Sequence, residues 1–172
     1  MPDLAVAAGF GGGPRVTLFR GTSLLSRATP FANFFAFPED ADTLRNGTYV
    51  AIGDVNGDGF GDLIFGGGPG GAPRIFILQG SLISAGNISG ATSSPIANFF
   101  AGGNVDDRGG VRVAVSNSDG DSQAEVFAAS GLNVAGRIRV YRGSTFTGSG
   151  EPAGAQVLDV FSGALADGIY VG

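Results

Sequence analysis

The chain has no cysteine, histidine, tryptophan or lysine, and all ten of its basic residues are arginine. Those absences exclude thiol and imidazole catalysis, zinc sites built on cysteine or histidine, and Schiff-base lysine chemistry. An enzyme made from this composition would need paired carboxylates or a metal-bound water. Without cysteine there is no disulfide, so cysteine usage names no compartment. No apolar run approaches the roughly 20 residues of a membrane-spanning helix, so membrane insertion is not expected. The arginines form no basic run and the formal net charge is −5, so nucleic acid is not an expected partner. The opening MPDLAVAAGFGGG has neither a basic n-region nor a long apolar core, so no signal peptide is expected in this segment.

What is abundant is glycine, 32 of 172 residues, with 43% apolar residues. No G-X-Y period accompanies the glycine, which excludes collagen, and the apolar content is too high for a disordered glycine-rich tract. Glycine, β-branched residues and phenylalanine between many turn signals predict an all-β fold.

The chain aligns with itself. DLAVAAGFGGGPRVTLFRG (Asp3 to Gly21) matches DLIFGGGPGGAPRIFILQG (Asp62 to Gly80) and, more loosely, EVFAASGLNVAGRIRVYRG (Glu125 to Gly143). PFANFFAF matches PIANFFAG, with AQVLDVFSG in the same place. GTYVAIGD matches GVRVAVSN and GIYVG. One segment, 1–172, therefore holds three repeat units, about 3–61, 62–124 and 125–172, and this period outranks any local pattern. Each unit carries four short β-like runs. They are 4–8, 14–19, 31–37 and 48–53, then 62–66, 73–78, 95–101 and 110–115, then 125–129, 136–142, 156–161 and 168–171. None shows a sustained helical period. Four strands per unit, repeated side by side, predict four-stranded antiparallel propeller blades. Phe34, Phe35, Phe99 and Phe100 fall at matching positions and are expected to pack between blades. Arg15, Arg74 and Arg137 also coincide and are expected to pair with acids or cover neighbouring strands. The acidic stretch Glu39, Asp40 and Asp42 is read as a solvated face.

Between the fourth run of unit one and the first of unit two lies DVNGDGFGD. Asp54, Asn56, Asp58 and Asp62 stand at positions 1, 3, 5 and 9 of this loop, and the backbone carbonyl of Phe60 falls at position 7. Several oxygens on a tightly curled backbone suit a hard cation such as Ca²⁺, and Gly59 can take the positive φ of the curl. Position 12 is Phe65 rather than glutamate and strands flank the loop, so it is not an EF-hand. The alternative is an Asx-rich hairpin turn that needs no ion. The matching loop offers Asn117, Asp119, Asp121, the carbonyl of Gln123 and Glu125 as a weaker second site. There Ser122 stands at the place of Gly59, where a left-handed conformation would cost on the order of 1 kcal/mol.

These residues resemble the FG-GAP repeat, the blade unit of integrin alpha-subunit propellers and of many bacterial surface and secreted proteins. Phe65-Gly66 and Gly71-Ala72-Pro73 carry its signature, and Asp54 to Asp62 fits its pattern D-x-[DN]-x-D-G-x-x-D. The first unit has Phe10-Gly11 and Gly13-Pro14, shortened; the third lacks Phe-Gly. The resemblance implies a structural calcium ion, an extracellular or cell-surface location, and a non-enzymatic module for protein recognition or adhesion. A carbohydrate-binding lectin is the alternative, and a propeller lyase or hydrolase the remote one; the residues that would contact a ligand are unknown. The resemblance also implies that the acidic loop joins the innermost strand of one blade to the next strand. Three blades do not close a ring. Either neighbouring repeats of a longer parent chain or a head-to-tail homodimer of six blades would complete it, the latter pairing 168–171 with 4–8 of a partner.

Overall fold

A computed structural model describes residues 3–40 and 43–172. The fold is mostly β. The strands are β1 (Leu4–Ala7), β2 (Arg15–Phe19), β3 (Pro30–Phe35), β4 (Thr48–Gly53), β5 (Asp62–Gly67), β6 (Arg74–Leu78), β7 (Ala97–Phe100), β8 (Val111–Ser116), β9 (Glu125–Ser130), β10 (Val134–Tyr141), β11 (Gly148–Ser149) and β12 (Gln156–Leu165). They form three sheets, ordered β1-β2-β3, β11-β7-β6-β5-β4 and β12-β10-β9-β8. All pairings are antiparallel except the two-residue pair of β11 with β7. Among the described residues the sheets close no ring.

The sheets are offset from the sequence units by one strand. The fourth run of unit one, β4, pairs with β5 from unit two, Thr48 opposite Gly67 and Gly53 opposite Asp62. Likewise β8 pairs with β9, Ser116 opposite Glu125. Each acidic loop therefore closes a hairpin whose strands belong to different units.

Period-two alternation sends neighbouring side chains to opposite faces. In β2, Val16 and Leu18 are buried while Arg15 is exposed. One core forms between the first two sheets, from Val16, Leu18 and Phe37 with Leu63, Phe65, Phe76 and Leu78. A second lies between the next two, from Ile64, Ile75, Ile77 and Phe99 with Val113, Val126, Ala128 and Tyr141. The middle sheet is covered on both faces, and all six residues of β5 are buried.

The structure corrects several expectations. The sheets have three, five and four strands rather than four each, because the outer edge of β1 pairs with no described strand and β11 adds to the second. Residues 168–171 form no strand, since the described chain offers no following strand for them to pair with. Two short helices, α1 (Gly80–Ser84) and α2 (Ile88–Ser93), occupy the connector between β6 and β7. They are too short for a helical period to show. Phe34 and Phe99 pack inward as expected, Phe34 edge-on to Phe65 at 6.2 Å and Phe99 to Tyr141 at 5.0 Å. Phe35 and Phe100 lie on the other faces, and Phe35 is 40% exposed. Adjacent strand residues cannot share a face.

The matching arginines form a repeated device. Each donates its Nε–H to the third strand: Arg15 to Asn33 at 2.8 Å, Arg74 to Asn98 at 3.0 Å and Arg137 to Asp159 at 2.6 Å. Arg74 also bridges units, meeting Glu39 and Asp40 at 3.2 Å each. It lies over the rings of Phe37 and Phe76. Glu39 and Asp40 are thus partly engaged; Asp42 lies outside the described residues.

Candidate metal centre

The first loop curls because Gly57 and Gly59 take positive φ, 77° and 83°. Asp54 accepts N–H bonds from Gly57 (2.7 Å) and Asp58 (3.2 Å) on Oδ1, and from Gly59 (2.8 Å) on Oδ2. Asn56 Oδ1 accepts from Asp58 N, and Asp58 Oδ1 from Phe60 N. The Asn56 amide also donates to Asp58 Oδ2 at 3.3 Å. The loop is an Asx ladder in which side-chain oxygens answer the N–H groups of the curl.

Asp62 sits apart from that ladder. It is fully buried, and accepts from Gly80 N on Oδ1 at 2.9 Å and from Val55 N on Oδ2 at 3.0 Å. Burial pushes its carboxyl up to about 6, against the pull of those two N–H groups, with Asp58 and Asp54 adding repulsion. Asp62 therefore staples the loop to the turn that opens α1. Asp3 makes the equivalent bond to Gly21 N at 2.9 Å. The sequence reading missed this role, although the equal spacing from Asp3 to Gly21 and from Asp62 to Gly80 carried it.

The second loop repeats the curl with a different acid distribution. Asn117 Oδ1 accepts from Gly120 N, Asp119 Oδ1 from Asp121 N, and Asp121 Oδ1 from Gln123 N. The Asn117 amide also donates to the Asp121 carbonyl. Glu125 Oε2 accepts from Ser118 N at 2.7 Å and Ser118 Oγ at 2.6 Å. Glu125 is 3% exposed, and its Oε1 is buried with no hydrogen-bond partner. The carboxylates of Asp119, Asp121 and Glu125 each offer an oxygen within 4.8 Å of the other two. Among the described residues this is the one carboxylate trio so gathered; Asp54, Asp58 and Asp62 are not brought together in that way. Ser122 is also not strained: it does not adopt the left-handed conformation of Gly59, Asn133 being the one described non-glycine residue with positive φ, while Gly120 turns at φ 82° as Gly57 does.

The two loops touch. Gln123 donates its side-chain amide to the carbonyl of Asn56 at 3.0 Å, and Ala124 N donates to the carbonyl of Asp54 at 2.7 Å. They form one acidic end of the molecule. Phe60, whose carbonyl was the expected fifth ligand, has an exposed ring there.

Compared with protein-family models, curated proteins and solved structures, the chain matches none.

Proposed function

We propose that the chain is a non-enzymatic β-propeller module whose sheets are successive blades. Calcium in the hairpin loops stabilises it, and it recognises a protein partner at the cell surface or outside the cell. The observation that carries the calcium reading is the trio Asp119, Asp121 and Glu125, with a buried Glu125 oxygen that has no donor. An unpaired buried carboxylate oxygen is costly, and a divalent cation is the counter-charge that removes the cost. Asn117 and the carbonyl of Gln123 complete an oxygen set of the kind calcium takes. The first loop, with Asp54, Asn56, Asp58 and the carbonyl of Phe60, is a weaker second place for an ion, since Asp62 is held by the N–H groups of Val55 and Gly80.

The propeller reading is supported by sheets that follow one another with a constant one-strand offset, each packed face to face on the next. The scaffold reading is supported by the first loop, where the oxygens of Asp54 and Asp62 are taken up in holding backbone. An extracellular setting suits the site, since surroundings rich in calcium fill weak oxygen sites with Kd of about 10⁻⁴–10⁻³ M.

Binding to the folded state raises stability by mass action. Thermal unfolding in millimolar calcium is expected to give a higher Tm than in EDTA, and Glu125→Gln is expected to shrink the difference. Calorimetric titration then counts one ion or two. Equal Tm values with calcium and with EDTA would overturn the calcium reading.

A further inference from the structure

We propose that the two outer sheet faces are two halves of one interface, across which a second copy of this chain docks head to tail. The proposal rests on reading the sheets as successive blades, and is independent of calcium and of any recognition role.

The chain contains the template for this interface twice. Leu63, Phe65, Phe76 and Leu78 of the middle sheet share a core with Val16 and Leu18 of the first. By the repeat offset, Leu4, Val6, Thr17 and Phe19 are their equivalents. These lie on the outer face of the first sheet, where Leu4 is 44% and Val6 46% exposed. On its other face, the middle sheet packs Ile64, Ile75, Ile77 and Phe99 against the third. The equivalents there are Phe127, Ile138 and Val140, with Leu158 opposite Ile138 as Phe99 is opposite Ile75. None of these four is fully buried, and Leu158 is 38% exposed. Each outer face thus presents the apolar set that the other is built to cover.

The backbone points the same way. β1 stands where β5 and β9 stand, yet its edge opposite β2 pairs with no described strand. Unpaired edges of this kind recruit strands. At the other end, Ile169 N donates to the Ser130 carbonyl at 3.0 Å, as Thr48 N does to the Ala8 carbonyl at 3.0 Å. Gly47, Gly110 and Gly168 turn there with φ 69°, 73° and 67°. The next residues, Tyr49, Arg112 and Tyr170, stack, the Arg112 guanidinium carbon lying 5.3 Å from one ring centre and 4.0 Å from the other. Residues 168–171 therefore set out on the course of β4 and β8 and lack only the strand to pair with. Val50 pairs with Phe65, and Val113 with Ala128. By the same register Val171 of one copy pairs with Val6 of the other. Two such contacts close a two-fold ring of six sheets, in which a heterologous interface meets itself.

Light scattering on size-exclusion eluate is expected to give twice the mass of one chain, and Val6→Arg the mass of one. Since the chain has no cysteine of its own, the double variant V6C/V171C is expected to oxidise to a covalent dimer. A wild-type protein of single-chain mass at high concentration overturns the proposal, as does a dimer that Val6→Arg leaves intact. Hydrogen exchange on the same samples separates this failure from that of the blade reading. Protected β5 and β6 in a wild-type monomer reject the docking alone; fast exchange there rejects the stacked sheets as well.

Discussion

Tyr141 shows how much one side chain contributes at the seam between the second and third sheets. It is fully buried, edge-on to Phe99, and donates its hydroxyl to Glu151 Oε1 at 2.6 Å. Burial above all, then the hydrogen bond to Glu151 and its charge, push the phenol well above its ordinary value. A folded-state value raised above the unfolded one stabilises fully below the unfolded pKa, about 10, and is lost as pH rises beyond it. Stability is therefore expected to fall above about pH 10, with Tyr141→Phe flattening that fall in urea titrations. At neutral pH the same variant is expected to lose about 1 kcal/mol. Glu151 Oε1 still accepts from Gly102 N at 2.7 Å. Gly110 is the stricter residue: its φ is 73°, and a Cβ there would lie 2.6 Å from the Gly67 carbonyl oxygen. Gly110→Ala is expected to cost on the order of 3 kcal/mol in chemical unfolding, combining left-handed strain with the clash. At this scale the curl of the first acidic loop was legible, with Gly59 at positive φ, since Asx and glycine spacing is local information. Which carboxylates converge was not legible. That depends on whether position 9 is aspartate, short enough to stay with the backbone, or glutamate, long enough to reach its loop.

Among elements, the strands were legible and their partners were not. Eleven of the twelve β-like runs coincide with strands within two residues, or within four at the end of β12, because alternation and glycine-rich turns are written in contiguous residues. Residues 168–171 carry the same pattern as β4 but form no strand, because a strand is defined by what lies beside it. Phe99 tests the packing of the elements. It is 3% exposed between Tyr141 and Phe146. Phe99→Ala is expected to lower stability by about 3–5 kcal/mol, the usual loss for emptying a large aromatic site.

At the scale of the whole molecule, order should follow coverage. The middle sheet is enclosed on both faces, whereas β12 is exposed along nearly its whole length and β1 has an open edge. Hydrogen exchange of a protein locked as a monomer by Val6→Arg is expected to be slowest in β5 and β6 and fastest in β1 and β12, because protection tracks burial. The threefold architecture was legible from the repeat alone, whereas its phase was not, since a period does not say which strand opens a sheet.

The one-strand offset has a bearing on inheritance. Because the second and third sheets each begin with a strand lent by the unit before, duplicating or deleting one unit in the gene replaces the lender with an equivalent lender. Such a chain can grow or shrink by whole units while every hairpin stays closed, and the number of sheets is free to drift until some arrangement brings the two open ends together.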